Sequence, residues 1–208
     1  MRKLIFTLLA VFTCSIGYSQ FKIGLKVSPG LLNNRAFVKS DTVQISNTGL
    51  KFKIPFGVFF DIPFSERYYF TTGLNLVGKI TDLNYQVGNT SEQNEKIKLQ
   101  YLQLPLTLKL MTDEIMVDKR LYFQFGPAFE VKIDDKSNSQ KYIQKVLFGD
   151  ISFLFGGGMD FNIGPNSSMI IGVSYNRGLI NLVQKTDLPA KKFSVKNDMF
   201  LFEIGIRP

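Results

Sequence analysis

Apolar and polar side chains alternate with a period of two along most of this chain, the spacing of a strand with one apolar and one polar face. Phe21, Ile23, Leu25 and Val27 alternate with Lys22, Gly24, Lys26 and Ser28. Phe52, Ile54, Phe56, Val58, Phe60 and Ile62 follow against Lys51, Lys53, Pro55, Gly57, Phe59 and Asp61, and then Tyr68, Phe70, Thr72, Leu74 and Leu76 against Tyr69, Thr71, Gly73, Asn75 and Lys79. A fifth run sets Leu121, Phe123, Phe125, Phe129, Val131 and Ile133 opposite Tyr122, Gln124, Gly126, Ala128, Glu130 and Lys132. A sixth sets Ile151, Phe153, Phe155, Met159 and Phe161 opposite Asp150, Ser152, Gly156, Gly158 and Asp160. The last two place Met169, Ile171, Val173 and Tyr175 away from Ser168, Gly172, Ser174 and Asn176, and Phe200, Phe202, Ile204 and Ile206 away from Glu203, Gly205 and Arg207.

The fourth run, residues 96–110, changes phase. Ile97, Leu99 and Tyr101 share one parity, whereas Leu102, Leu104, Leu106, Leu108 and Leu110 share the other. A one-residue slip turns every later side chain over, so a β-bulge is expected near Tyr101 and Leu102. Pro105, which cannot donate to a ladder, adds local irregularity.

Eight strands result, and the segments joining them alternate in length. Long polar segments cover 31–49, 81–95, 134–148 and 181–196, and shorter links cover 63–67, 111–120 and 164–167. Long loops on one side and short turns on the other mark an outer-membrane barrel, with the long loops outside the cell. An even strand number then leaves both ends of the chain in the periplasm. Runs of about 10 to 13 residues suit a tilted membrane strand, which needs ~9–11. Phe64, Tyr68, Tyr69, Tyr122, Phe123 and Phe161 are expected to form an aromatic girdle near the periplasmic rim.

The first twenty residues break the pattern. Arg2 and Lys3 precede an apolar run from Leu4 to Phe12, and small or polar residues follow to Gln20. This is the layout of a cleavable secretory signal, too short to span a bilayer as a helix. Cleavage is expected after Gln20, leaving 21–208 as one mature domain. Cys14, the only cysteine, falls inside the removed segment, which excludes disulfides and thiolate chemistry. Acylation of Cys14 is the alternative, but Val11, Phe12 and Thr13 make a poor lipobox.

The formal charge of +8 falls to +6 without Arg2 and Lys3. Behind a secretory signal, and with no dense basic run, this favours lipid headgroups, surface glycans or a lysine-lined interior over nucleic acid. There is no histidine. That removes histidine triads, histidine-held zinc and the histidine base of many barrel hydrolases. Gly156, Gly157 and Gly158 lack the Lys-Ser/Thr of a phosphate loop and read as room for large neighbours or a bend in the wall. Asp61, Glu130, Asp150, Asp160 and Glu203 share the polar parity with Lys22, Lys26, Lys53, Lys79 and Lys132. Paired-carboxylate hydrolysis is conceivable, but opposite charges in a narrow interior pair structurally, because isolated buried charge is costly. Lys185, Lys191, Lys192 and Lys196 read as a solvated loop, with contact to acidic headgroups or a partner as the second reading.

Two segments carry a family resemblance. Tyr101-Leu102-Gln103-Leu104-Pro105-Leu106 resembles the Tyr-Leu-x-x-Pro-Leu strand of the PorT-like outer-membrane β-barrel proteins of Bacteroidota, and Tyr175-Asn176-Arg177-Gly178-Leu179-Ile180-Asn181 resembles their Tyr-x-x-Gly-Leu-x-Asn segment. Gly126-Pro127 and the triple glycine also fall where that family places glycines. The resemblance implies an eight-stranded barrel without an assigned activity. One namesake is associated with type IX secretion, a role the matching strand motifs do not themselves carry. The chain departs from many such barrels in ending Ile206-Arg207-Pro208 and not on an aromatic residue.

The expectation is therefore an all-β, eight-stranded, antiparallel up-and-down transmembrane β-barrel in the outer membrane. It is not an enzyme and has no catalytic, cofactor-binding or metal residues, and no cofactor. Its partners are outer-membrane lipid and, at the long loops, an envelope protein or surface glycan. Phe37, Tyr85 and Tyr142 are candidate anchors. A soluble lipocalin-like carrier, with apolar residues inside, is the alternative. Ile23, Phe56, Leu74, Phe125, Ile171 and Phe202 should face lipid, and Lys22, Lys53, Asn75, Glu130 and Glu203 the interior. The first strand should close on the eighth, bringing Glu203 to Lys22 or Lys26.

Overall fold

The computed structural model describes residues 21–40, 43–47, 49–87, 93–137, 143–165, 167–186 and 192–208. The expected signal segment, with Cys14, lies outside them, as do Tyr142 and Lys191. The described residues form thirteen strands and no helix: β1 (Lys22–Val27), β2 (Gly30–Lys39), β3 (Val43–Asn47), β4 (Lys51–Lys53), β5 (Phe56–Pro63), β6 (Tyr68–Val87), β7 (Gln93–Met116), β8 (Lys119–Ser137), β9 (Ile143–Val146), β10 (Gly149–Asn162), β11 (Ser168–Gly178), β12 (Val183–Thr186) and β13 (Lys192–Arg207).

Eight of these close a ring in the order β1, β5, β6, β7, β8, β10, β11, β13 and back to β1, every contact antiparallel. Closure joins Leu25 to Ile206 and Val27 to Ile204, as expected for first against last. Closing the ring removes the edges that an open sheet would present. Beyond it, β2 continues β1 upward along β13, and β3 and β4 continue β5, with β3 pairing β6 and β4 pairing β2. The breaks fall at prolines, where Pro55 and Pro29 accept hydrogen bonds from the Ser28 and Phe202 amides.

Side-chain direction follows the sequence parity. Ile23, Phe56, Leu74, Phe125 and Phe202 are exposed on the convex surface, whereas Asn75, Glu130 and Glu203 are buried inside. This outward apolar band spans Leu102 to Leu110 on β7, nine residues. At the tilt of barrel strands that gives ~20–25 Å, the height of a membrane band.

Several expectations are corrected. Much of the four long segments is strand and not loop, because β2, β3, the upper parts of β6, β7, β8 and β13, and a small sheet of β9 on β12 occupy them. The 111–120 link is a two-residue turn at Val117 and Asp118, with Asp118 in the left-handed region at φ 60°. No slip occurs in β7 against β6, where Val77 faces Tyr101 and Leu76 faces Leu102 in unbroken register. The bulge expected near Tyr101 is present in the β7–β8 ladder, but the extra residue is on β8 and not on β7: Tyr101 faces Lys132 while Gln100 faces Asp134, bulging Ile133. What changes at Tyr101 is which parity is apolar. Ile97, Leu99 and Tyr101 point inward, while Lys96, Lys98 and Gln100 are exposed. Tyr69 and Tyr122 likewise point into the barrel, so the rim girdle keeps Phe64 stacked on Tyr68 at 6.0 Å, with Phe123 and Phe161, but not those two. Lys53 leaves the interior and lies across Gly78, on the outward parity of β6.

Candidate functional site

The interior is built in layers. At the end of the ring that carries the short turns, Asp61 on β5 accepts from Thr71 (2.5 Å), from Lys109 on β7 (2.8 Å) and from Arg207 on β13 (2.9 Å). Arg207 also bridges to Asp160 and donates to Ser168 at 2.9 Å. The ammonium of Lys109 lies 5.3 Å from the ring centres of Phe59 and Tyr122, close enough for a cation–π contribution. Glycines make room for both rings: a Cβ at Gly24 would lie 2.2 Å from Phe59, and one at Gly172 would lie 2.2 Å from the Tyr122 hydroxyl. The crowding expected at the triple glycine is present too, since a Cβ at Gly158 would lie 2.2 Å from the Ile171 carbonyl.

One layer up, Glu203 pairs with Lys26 at 3.2 Å and accepts from Gln124 and Ser174. That is the seam pair expected from the sequence. Higher still, Lys79 is ion-paired with both Glu130 and Asp150, while Gln103 and Ser152 donate to Glu130 and Asn75 donates to Gln103. The carboxylates that raised a hydrolytic possibility are thus tied to cations. Lys132 pairs with Asp135, and Lys22, opposite Asp61 in register, is exposed at the mouth on the side of the short turns. Lys109 and Arg207 are partners that the sequence reading did not single out, although both sit on the polar parity. Cavities between the layers measure about 20 and 10 Å³, too small for a continuous water path.

Above Tyr101 the interior becomes apolar. Leu83, Tyr85, Ile97, Leu99, Tyr101 and Val195 pack with Val146, Leu182 and Val183 of the β9–β12 region, closing the outer end. Tyr85, proposed as an exposed anchor, is buried there, and burial beside Glu95 pushes its hydroxyl above the ordinary phenol range. Asn181 fastens this cap: its amide nitrogen donates to the carbonyls of Val183 and Phe193, and its oxygen accepts from the amides of Val195 and Val183. Asp198 accepts from Arg35, from the Tyr175 hydroxyl at 2.9 Å and from the Gly178 amide. The Tyr-x-x-Gly-Leu-x-Asn motif is therefore a structural fastening of the outer extension. Among the described residues no cluster of acidic, histidine or cysteine side chains is arranged to hold a metal ion.

A closed antiparallel ring with an apolar convex band and a charged interior defines an integral outer-membrane β-barrel. Residues 13–184 match the family described as outer membrane protein beta-barrel domain, and the chain belongs to that family. The soluble-carrier alternative is thereby set aside. Among solved structures the chain is similar to the outer membrane protein OprG from Pseudomonas aeruginosa, with a TM-score of 0.57 at 12% identity over 89% of this chain and 95% of that one. Neisserial surface protein A gives 0.47 at 10% identity over 88% and 95%. The outer membrane protease OmpT from Escherichia coli gives 0.42 at 11% identity over 89% and 96%. At these identities the OprG likeness speaks to fold alone. No curated protein matches the chain in sequence.

Proposed function

We propose that this protein is a non-enzymatic, non-conducting barrel that presents a rigid outer extension for recognition at the cell surface. The observation that carries this is the inverted polarity above Tyr101: an apolar core with a polar exterior lets the wall continue beyond the membrane as a folded domain. On β7 the extension runs from Tyr101 to Gln93, about 25 Å along the strand at the usual rise. Phe37 stands on it 58% exposed, on β2 paired with β13, as a candidate anchor. The partner is an envelope protein or a surface glycan, and the PorT-like resemblance makes a secretion assembly the more specific form of this reading. Residues 1–20 act as the export signal, and the interior carboxylates are structural.

The test is to cut the four outer hairpins back to tight turns and verify insertion by heat-modifiable gel migration. Surface binding and cross-linked partners on intact cells are then compared with the full protein. Loss of both is expected. Unchanged binding and partners from an inserted, shortened barrel would assign the protein an anchoring or periplasmic role instead.

A further inference from the structure

We propose that Lys53, Lys96 and Lys98 form a site on the outer wall for the phosphate of an outer-leaflet lipid headgroup. In the β6–β7 ladder Gly78 lies opposite Gln100, Ile80 opposite Lys98 and Asp82 opposite Lys96; Lys96, Lys98 and Gln100 are exposed on the wall, whereas Ile80 and Asp82 are covered. Lys53, from β4, is laid over Gly78, where an added Cβ would lie 3.4 Å from its Cδ and 3.6 Å from its Nζ. The missing side chain leaves a shallow trough for Lys53, two residues along β6 from the level of Lys98 and four from that of Lys96, so that the three like charges act on one another. The carboxylate opposite Lys96 in the ladder is already engaged, because Asp82 pairs with Lys51 at 2.8 Å and accepts from Asn94. Asp134, opposite Gln100 on β8, is the other acid on this face. Among the described residues Lys53, Lys96 and Lys98 form no ion pair of their own. Like charges gathered without a counterion cost free energy that a bound anion recovers.

Position selects the source of that anion. The cluster lies immediately above Leu76 and Leu102, where the outward parity changes from apolar to polar, which is headgroup depth. Phe52 and Ile54 flank Lys53 in the chain and are 61% and 55% exposed. Exposed apolar side chains in the same stretch of chain as Lys53 fit a molecule that brings acyl chains as well as a phosphate, and lysine serves phosphate as a point charge. A free phosphate would use the lysines and leave the apolar flank idle.

The test uses the full barrel in detergent and native mass spectrometry, with three probes: phosphorylated lipid A, dephosphorylated lipid A and inorganic phosphate. The native protein should hold the phosphorylated lipid at least about tenfold more tightly than the dephosphorylated one. Combining Lys53→Gln, Lys96→Gln and Lys98→Gln should erase that preference, whereas Lys39→Gln with Lys196→Gln should leave it intact. Heat-modifiable migration confirms that each variant is folded. Equal retention of the two lipids, or a preference that survives the triple substitution, would overturn the site. Displacement of the lipid by an equal concentration of inorganic phosphate would overturn the lipid as its ligand.

Discussion

Removing the charge of Lys79 while keeping its bulk isolates what the interior ion pairs contribute. In the native barrel the Lys79 side chain is 2% exposed, Glu130 is 1% and Asp150 0%, so neither carboxylate can turn to water when the cation is lost. Lys79→Met preserves the aliphatic stem and gives up two ion pairs and the approach to the Tyr101 ring at 5.1 Å. Glu130 would keep Gln103 and Ser152, and Asp150 the Ile151 amide, so solvation is replaced only in part. Breaking one buried pair costs about 3–5 kcal/mol, mostly through the charge left behind, and two stranded carboxylates place this variant at the upper end. Equilibrium guanidinium titration of the barrel refolded into phospholipid vesicles would read that loss. Adding Glu130→Gln and Asp150→Asn to Lys79→Met should restore stability to within about 2 kcal/mol of native, because a neutral, volume-matched replacement removes the stranded charge. A single variant within about 1 kcal/mol of native, or a triple variant as unstable as the single, would refute the reasoning.

Three further outcomes follow from the same geometry. Gly172→Ala should destabilise by about 1–3 kcal/mol through overpacking against Tyr122 and the Gly157 carbonyl, and Tyr122→Phe should recover part of it, because the phenol oxygen is the closest of the atoms in the way; thermal melts of the two single variants and the double variant measure this. Asn181→Ala should loosen the cap without opening the membrane ring, seen as faster tryptic cleavage near Lys185 with the barrel core still protected. In planar bilayers the protein should show no large, stable single-channel conductance, since charged and apolar layers fill the lumen.

Much of the membrane ring was legible because each strand there has one face toward lipid and one toward a narrow interior, and both constraints write the same period of two. The closing pair of Lys26 and Glu203 could be placed for that reason: matching parity and nearness to the chain ends left few other partners. Lys109 was hidden by its neighbours, since Leu108 and Leu110 make the stretch read as uniformly apolar unless parity is followed residue by residue. Arg207 was obscured differently. It stands next to the last residue, where a charge usually reads as solvated, yet it is 4% exposed and joins Asp61 to Asp160. The outer strands were missed because their outward side chains are polar, as in any soluble sheet, and polar stretches between apolar runs look like loops.

The phase change on β7 carries the most information about where the membrane ends. In a strand whose side chains alternate without interruption, as those of β7 do, apolar residues can change parity only if the surroundings of the two faces exchange. Below Leu102 the convex face meets hydrocarbon and the interior holds charge; above Tyr101 the convex face meets water and the interior holds Leu83, Ile97 and Leu99. A slip would have turned the backbone over to keep one face apolar throughout, at the cost of disrupting the ladder. Here β7 stays in register with β6 and its side chains keep alternating, the one-residue bulge falling on β8 at Ile133, and what changes is the solvent. The inversion therefore sets the edge of the apolar band between two adjacent residues, the level at which the proposed lysine site lies. Lys53, Lys96 and Lys98 sit at the first level where an outward charge escapes the ~2–4 kcal/mol penalty of the hydrocarbon midplane, and where anionic headgroups are within reach.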